Sequence, residues 1–191
     1  MNAYPFYPSR KILVLDGAWD FNFIGDAELE QLDPAEFTFH DVMCVPGAFD
    51  CSPAYYCKRG IALYRTDFTL EQNAPDALLK LGGLGLRARF WIDGREIGFT
   101  NLPYSGVEFK TGKLTAGKHT LCAALDNRFD PEKMKLFLPY YDFYAFGGFY
   151  RGVTLHLLPE GCCIDRVQIR TTDYRTGKVN LRFLFRGDVP E

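Results

Sequence analysis

With 191 residues, 47% hydrophobic and 24% charged, the chain has the size and composition of a globular domain with a real core, which excludes a disordered segment. A net charge of −2 with no basic stripe excludes the electrostatic footprint of a nucleic-acid binder. No apolar run is long enough to span a bilayer, and KILVL near the start is too short for the core of a secretory signal. The expectation is a cytoplasmic protein with no membrane partner.

The aromatic content, 16%, favours β-structure, because flat rings pack well on pleated surfaces. GAWDFNF, residues 17–23, sets Trp19, Phe21 and Phe23 on one parity and predicts a half-buried strand. DAELEQLDPAEF, residues 26–37, predicts a short helix with Asp26 as N-cap and Pro34 ending it. FTFHDVMCVPG, residues 37–47, predicts a strand running to a Pro-Gly turn. IALYRTDFTL, residues 61–70, alternates Leu63, Arg65, Asp67 and Thr69 against Tyr64, Phe68 and Leu70. ALLKLGG follows. The glycine-rich LGGLG, residues 81–85, lacks the helix N-terminus that lets such a loop bind phosphate, and reads as a turn.

LRARFWIDGREIGFT, residues 86–100, carries the clearest local signal. Asp93-Gly94 between two β-like arms predicts a tight hairpin, because both residues take positive φ cheaply. KLTAGKHTLCAALDNRF predicts a turn at Ala116-Gly117 and a strand after it. GGFYRGVTLHLLP closes this unit, and Pro159-Glu160-Gly161 breaks it. Beyond the break, CIDRVQIRTT and KVNLRFLFRG are alternating strands joined by DYRTG, with Val179, Leu181, Phe183 and Phe185 on one face. Two strands alone are marginal in water. This hairpin therefore reads either as packed on the first unit or as the opening of a second sandwich. The expectation is an all-β chain: a jelly-roll β-sandwich over residues 1–159, then residues 160–191.

Catalytic patterns are missing from the sequence. There is no G-x-S-x-G elbow, phosphate loop or H-E-x-x-H. The six cysteines, Cys44, Cys51, Cys57, Cys122, Cys162 and Cys163, form no C-x-x-C, and read as reduced, buried and structural. His40, His119 and His156 lie in separate strand-like runs and read as structural. No cofactor or metal is expected.

YDFYAFGGFYR, residues 141–151, stands apart. In one reading it is an aromatic edge packing two sheets, with Gly147-Gly148 as a bulge and Arg151 ion-paired at the surface. In the other it is a sugar platform. Sugar hydroxyls need charged acceptors and sugar C–H faces need rings; Asp142, Phe143 and Tyr144 offer both.

Taken in order, LDGAWDF, VPGAFD, YRTDFTL, LRARFWIDGREIG, the strand ending in LDNR, and DFYAFGGFYRGVTL resemble the N-terminal sugar-binding domain of family 2 glycoside hydrolases, over residues 15–158. That family includes β-galactosidases, β-glucuronidases and β-mannosidases. PFYPSRKILVLDGAWDF is most similar to the β-glucuronidase branch. The resemblance implies a galactose-binding-type jelly roll followed by the first strands of an immunoglobulin-like sandwich. It implies a partner barrel of the same parent chain holding the two catalytic glutamates, so that residues 1–191 contain no catalytic residue. It implies a terminal β-linked sugar as ligand, with Asp142 in the cleavage subsite beside Phe143 and Tyr144, and a parent that is a homo-oligomer. Arg151 and Asn127 are implied as structural supports. The sequence departs from the family in having Tyr141 where histidine is frequent, and NLPYSGVEF where GGYTPF is usual. The alternative is a free-standing carbohydrate-binding module.

Overall fold

The computed structural model describes residues 11–133 and 144–187. In chain order the strands are β1 (Lys11–Val14), β2 (Gly17–Gly25), β3 (Asp41–Val45), β4 (Gly47–Ala48), β5 (Ile61–Leu70), β6 (Asp76–Leu81), β7 (Leu84–Gly85) and β8 (Arg87–Ile92). They continue as β9 (Arg95–Thr100), β10 (Val107–Lys110), β11 (Gly117–Asp126), β12 (Gly148–Phe149), β13 (Val153–Leu158), β14 (Cys163–Asp173) and β15 (Lys178–Arg186). The chain divides into two compact units, Met1–Leu157 and Leu158–Glu191.

The first unit is an antiparallel β-sandwich. One sheet has the order β3-β2-β5-β11-β8-β9, the other β1-β13-β6-β10. Their inner faces share one core. Trp19, Phe21, Tyr64, Phe90, Leu121 and Leu125 come from the larger sheet, and Leu79, Leu81, Val153 and Leu155 from the smaller. Alternation explains the assignment: in β2 the Trp19 and Phe21 parity is buried, as the sequence predicts. Burying each such ring contributes about 1.5–3 kcal/mol.

β5 starts with four buried residues rather than an alternating pattern. The cause lies on the outer face of the large sheet. There Ile61, Leu63, Trp91, Leu29 and Ala124 form a second core, closed by Leu32, Phe37 and Phe39. The covering segment is where a helix was expected. Instead it makes two short 3-10 turns, Leu29–Gln31 and Pro34–Glu36. Asp26 caps neither; Asp33 caps the second, its carboxylate accepting the Ala35 N–H at 2.9 Å. Pro34 halts the first turn before an α-helix propagates. The strand expected from residue 37 begins only at Asp41, because Phe37 and Phe39 are spent on this outer core.

The Asp93-Gly94 hairpin forms as predicted, with φ of 51° and 78° joining β8 to β9. Ala116-Gly117 leads into a ten-residue β11.

The second unit is the hairpin β14-β15. Its register pairs Val167 with Phe183, Ile169 with Leu181 and Thr171 with Val179. Val167, Ile169, Val179, Leu181 and Phe183 are exposed, as are Ile164 and Phe185. The Asp165 carboxylate accepts from Arg186 at 2.9 and 2.6 Å on the same hairpin.

Candidate functional site

Three stretches that read separately in sequence meet in a third, small sheet of order β4-β12-β7. Gly148 pairs with Ala48 on one side and Gly85 on the other; Phe149 pairs with Gly47 and Leu84. The VPGAFD, LGGLG and FGGF motifs therefore form one structure. This corrects two expectations. Gly47 is not simply the end of a turn, and Leu84-Gly85 is a short strand rather than only a turn. Phe149 is fully buried, with its ring 5.3 Å from Trp19 and 5.1 Å from Tyr64. It anchors the segment to the sandwich core.

Both glycines of Gly147-Gly148 are required there. A Cβ on Gly147 would lie 2.4 Å from the Phe49 ring and 2.7 Å from Asn127 Cβ. Gly148 has φ +114° and packs against the Gly47 carbonyl, where a side chain would collide.

Beneath residues 144–147 lies a buried polar cluster. Asp50, fully buried, accepts the Gly147 N–H at 3.2 Å on Oδ1 and 3.0 Å on Oδ2. Its Oδ2 also accepts from Asn127 Nδ2 at 3.0 Å and from Arg59 Nη1 at 3.4 Å. Asn127, also fully buried, uses every polar site of its side chain. Oδ1 accepts the Gly60 N–H at 2.8 Å, and Nδ2 donates to Asp50 and to the Lys58 carbonyl at 3.0 Å. A buried cluster of this kind is favourable only when fully satisfied, which ties three distant chain segments to one geometry.

Arg59 completes the cluster and reaches the loop directly. Its Nη1 donates to the carbonyls of Ala145, at 2.6 Å, and Asn127, at 3.3 Å; its Nη2 donates to the Tyr144 carbonyl. The guanidinium also lies 4.2 Å from the centroid of the Tyr144 ring, a cation–π contact.

Tyr144 is therefore placed; Asp142 and Phe143 lie outside the described residues. With the Arg59 guanidinium at 4.2 Å and the Phe146 ring at 4.5 Å from its centroid, the Tyr144 ring is committed to intramolecular contacts. What it offers outward is its edge and hydroxyl. The neighbouring Cys57 thiol, more than burial, pushes the Tyr144 hydroxyl up to about 12. Tyr56, Phe146 and Tyr150 add exposed rings. Tyr150 is fixed by its hydroxyl, which donates to the Phe146 carbonyl at 2.9 Å, and by an edge contact with Tyr104 at 4.9 Å.

Of the two implied supports, Asn127 is the centre of the buried cluster. Arg151 is exposed, and its side chain has no hydrogen-bond or ion-pair partner among the described residues; only its backbone N–H is used, toward the Gly83 carbonyl. The surface ion pair expected for it is absent there. Asp50 and Arg59 were not singled out by sequence. The one available signal for Asp50 was an acid directly following an apolar Pro-Gly-Ala-Phe run.

The rest of the LDNR motif supports the same corner. Asp126, fully buried, binds Arg87 Nη2 at 2.5 Å and Arg128 Nε at 3.0 Å. Burial would raise its pKa, but these bonds hold it below the ordinary carboxylate value. His119, nearly buried, bonds Asp93 Oδ2 through Nδ1 at 2.6 Å and the Thr115 carbonyl through Nε2 at 2.8 Å, and stacks on Phe68. It is structural. Three cysteines depart from expectation: Cys44, Cys51 and Cys57 are exposed, while Cys122 packs against the outer core. All six are free thiols. Among the described residues, no three His, Cys, Asp or Glu side chains gather to hold a metal.

No protein-family model matches the sequence, and no curated protein matches it. Solved structures do. The chain is similar to the GH2 β-galacturonidase of Eisenbergiella tayi bound to glycerol, with TM-score 0.79, 24% identity, 97% of this chain covered and 31% of that one. It is similar to the Bifidobacterium dentium β-glucuronidase complexed with coumarin-3-O-glucuronide, with TM-score 0.77, 22% identity, and 97% and 37% covered. A β-glucuronidase of Ruminococcus gnavus gives TM-score 0.74 at 21% identity, with 97% and 36% covered. The chain thus spans about a third of the length of these enzymes. Its fold is the one that these enzymes carry over that part of their length.

Proposed function

We propose that the chain is the N-terminal, non-catalytic sugar-binding domain of a family 2 glycosidase that hydrolyses terminal β-linked sugars, with β-uronides the first substrates to test. The observation that carries this is the match of 97% of the chain to about a third of a GH2 β-galacturonidase, over the fold that presents the residue 144–147 segment. In this reading Asp142 accepts hydroxyls of the sugar, while Phe143 and Tyr144 line the wall around it. The chemistry belongs to a pair of carboxyls on a barrel of about 250 residues elsewhere in the parent. In a retaining enzyme such a pair stands about 5–5.5 Å apart, one as acid/base and one as nucleophile.

The second unit fits the same reading. β14-β15 presents Val167, Ile169, Leu181 and Phe183 to solvent on one face, and a two-stranded ribbon does not hold such a face in water unaided. We read it as the opening strands of an immunoglobulin-like sandwich.

The test is Asp142→Asn in the parent enzyme, assayed with nitrophenyl β-glucuronide and β-galacturonide. The expected result is a large loss of turnover with an unchanged melting temperature; wild-type kinetics would sink the role of Asp142. A free-standing carbohydrate module is the competing outcome. Millimolar or tighter sugar affinity of the 191-residue chain alone would favour that version.

A further inference from the structure

The contacts of Arg59 exceed what a structural ion pair needs. Asp50 also accepts from Gly147 and Asn127, and Arg59, which balances its buried charge, stands at 3.4 Å, among the longer contacts of the cluster. The short contacts of Arg59 run the other way, to the carbonyls of two consecutive residues, Tyr144 and Ala145. In extended chain, successive carbonyls point to opposite sides. Here they converge on one cation because Ala145 sits at φ +59°, a left-handed conformation that costs a non-glycine residue about 1–2 kcal/mol. A guanidinium over the Tyr144 ring and bonded to that residue's own carbonyl fixes both the backbone and the ring plane.

Resting on the glycosidase reading above, we propose that Arg59 is a positioning residue. Its guanidinium sets where the Tyr144 backbone and ring stand against the substrate. The role needs arginine. A planar fork bonds two carbonyls while stacking on a ring; a lysine ammonium delivers a point charge and no stacking plane. The Arg59 side chain is one-third exposed, so its removal opens a solvent-accessible notch and not a core cavity.

The experiment has two arms. In the 191-residue chain, amide hydrogen exchange at Gly147, the N–H of this segment that Asp50 holds, is compared for wild type, Arg59→Lys and Arg59→Ala. Several-fold faster exchange confined to this segment in Arg59→Ala, reversed by millimolar guanidinium ion, is expected; unchanged exchange overturns the proposal whatever the activity. In the parent enzyme, kcat and KM are measured for the same variants on nitrophenyl β-uronides. A displacement of about 1 Å is worth on the order of 10²-fold. Arg59→Ala leaves the fully buried Asp50 carboxylate without its cation, so it should melt lower than wild type; assayed well below that melt, it should lose that much in kcat/KM, mainly in kcat. Added guanidinium should restore it, and Arg59→Lys should stay impaired. Wild-type kinetics in Arg59→Ala despite faster exchange, or a loss that tracks unfolding and is not rescued, overturns the positioning role. A wild-type parent that turns over no β-glycoside instead overturns the glycosidase reading, and with it the substrate-positioning role.

Discussion

Asp50 accepts the main-chain N–H of Gly147 with both oxygens of a fully buried carboxylate, across 97 residues of sequence. This one relationship fixes the entry to β12 and gives the FGGF stretch its place. On the other side of the same residue, a Cβ would meet Phe49 and Asn127, so the position takes glycine.

Gly147→Ala tests that fit. The added methyl meets the Phe49 ring at 2.4 Å, so the ring or the backbone must move. Overpacking of this kind costs about 1–3 kcal/mol. A thermal melt should show a drop of several degrees; a melt identical to wild type would mean that the close approach is not present in solution.

Asn127→Ala removes three hydrogen bonds at once and leaves Asp50 Oδ2, the Gly60 N–H and the Lys58 carbonyl short of a partner. Leaving a buried polar group unsatisfied costs about 1–3 kcal/mol. Urea unfolding should show a lower midpoint with an unchanged slope. An unchanged midpoint would contradict the cluster.

Asp126→Ala strands Arg87, whose side chain is only 2% exposed and whose other carboxylate partner, Glu30, is half exposed. Breaking a buried pair from one side costs about 3–5 kcal/mol. The variant should be largely unfolded or strongly destabilised by circular dichroism. A Tm within a degree of wild type would count against the pairing.

His119 gives a pH dependence with a definite sign. Burial pulls its pKa down, but the Asp93 carboxylate and the Thr115 carbonyl more than offset this, so the folded value lies above 6.5. A group that binds its proton more tightly when folded stabilises fully below its unfolded pKa. That stabilisation is lost as pH rises through the folded value. The Tm difference between wild type and His119→Gln should therefore be largest in mild acid, below 6.5, and shrink as pH rises above it. A difference that grows with rising pH would contradict the assignment.

Much of the frame was legible because alternation is local. Trp19 and Phe21 in β2, and Asp93-Gly94 between β8 and β9, announce themselves within a few residues. The outer core was not legible. Its cover, residues 26–39, has charged and apolar residues at spacings a helix also uses, and only the demand for burial by Ile61, Leu63 and Trp91 decides their use. The polar cluster was the least legible. Asp50, Arg59 and Asn127 are joined across 9 to 77 residues of sequence, and an acid or an arginine in a loop carries no local sign of its partner. The motif order pointed to Asn127 as a support, and the structure places it at the centre of the cluster. Asp142 and Phe143 remain the proposal of the resemblance.

The most direct test of the account is turnover of a nitrophenyl β-uronide by the natural polypeptide, captured from its source cells with an antibody raised to this chain. The account predicts a captured polypeptide several times heavier than 21.8 kDa that releases nitrophenol, while the 191-residue chain alone releases none. A captured polypeptide of 21.8 kDa, or a heavier one that turns over neither glucuronide nor galacturonide, would contradict it.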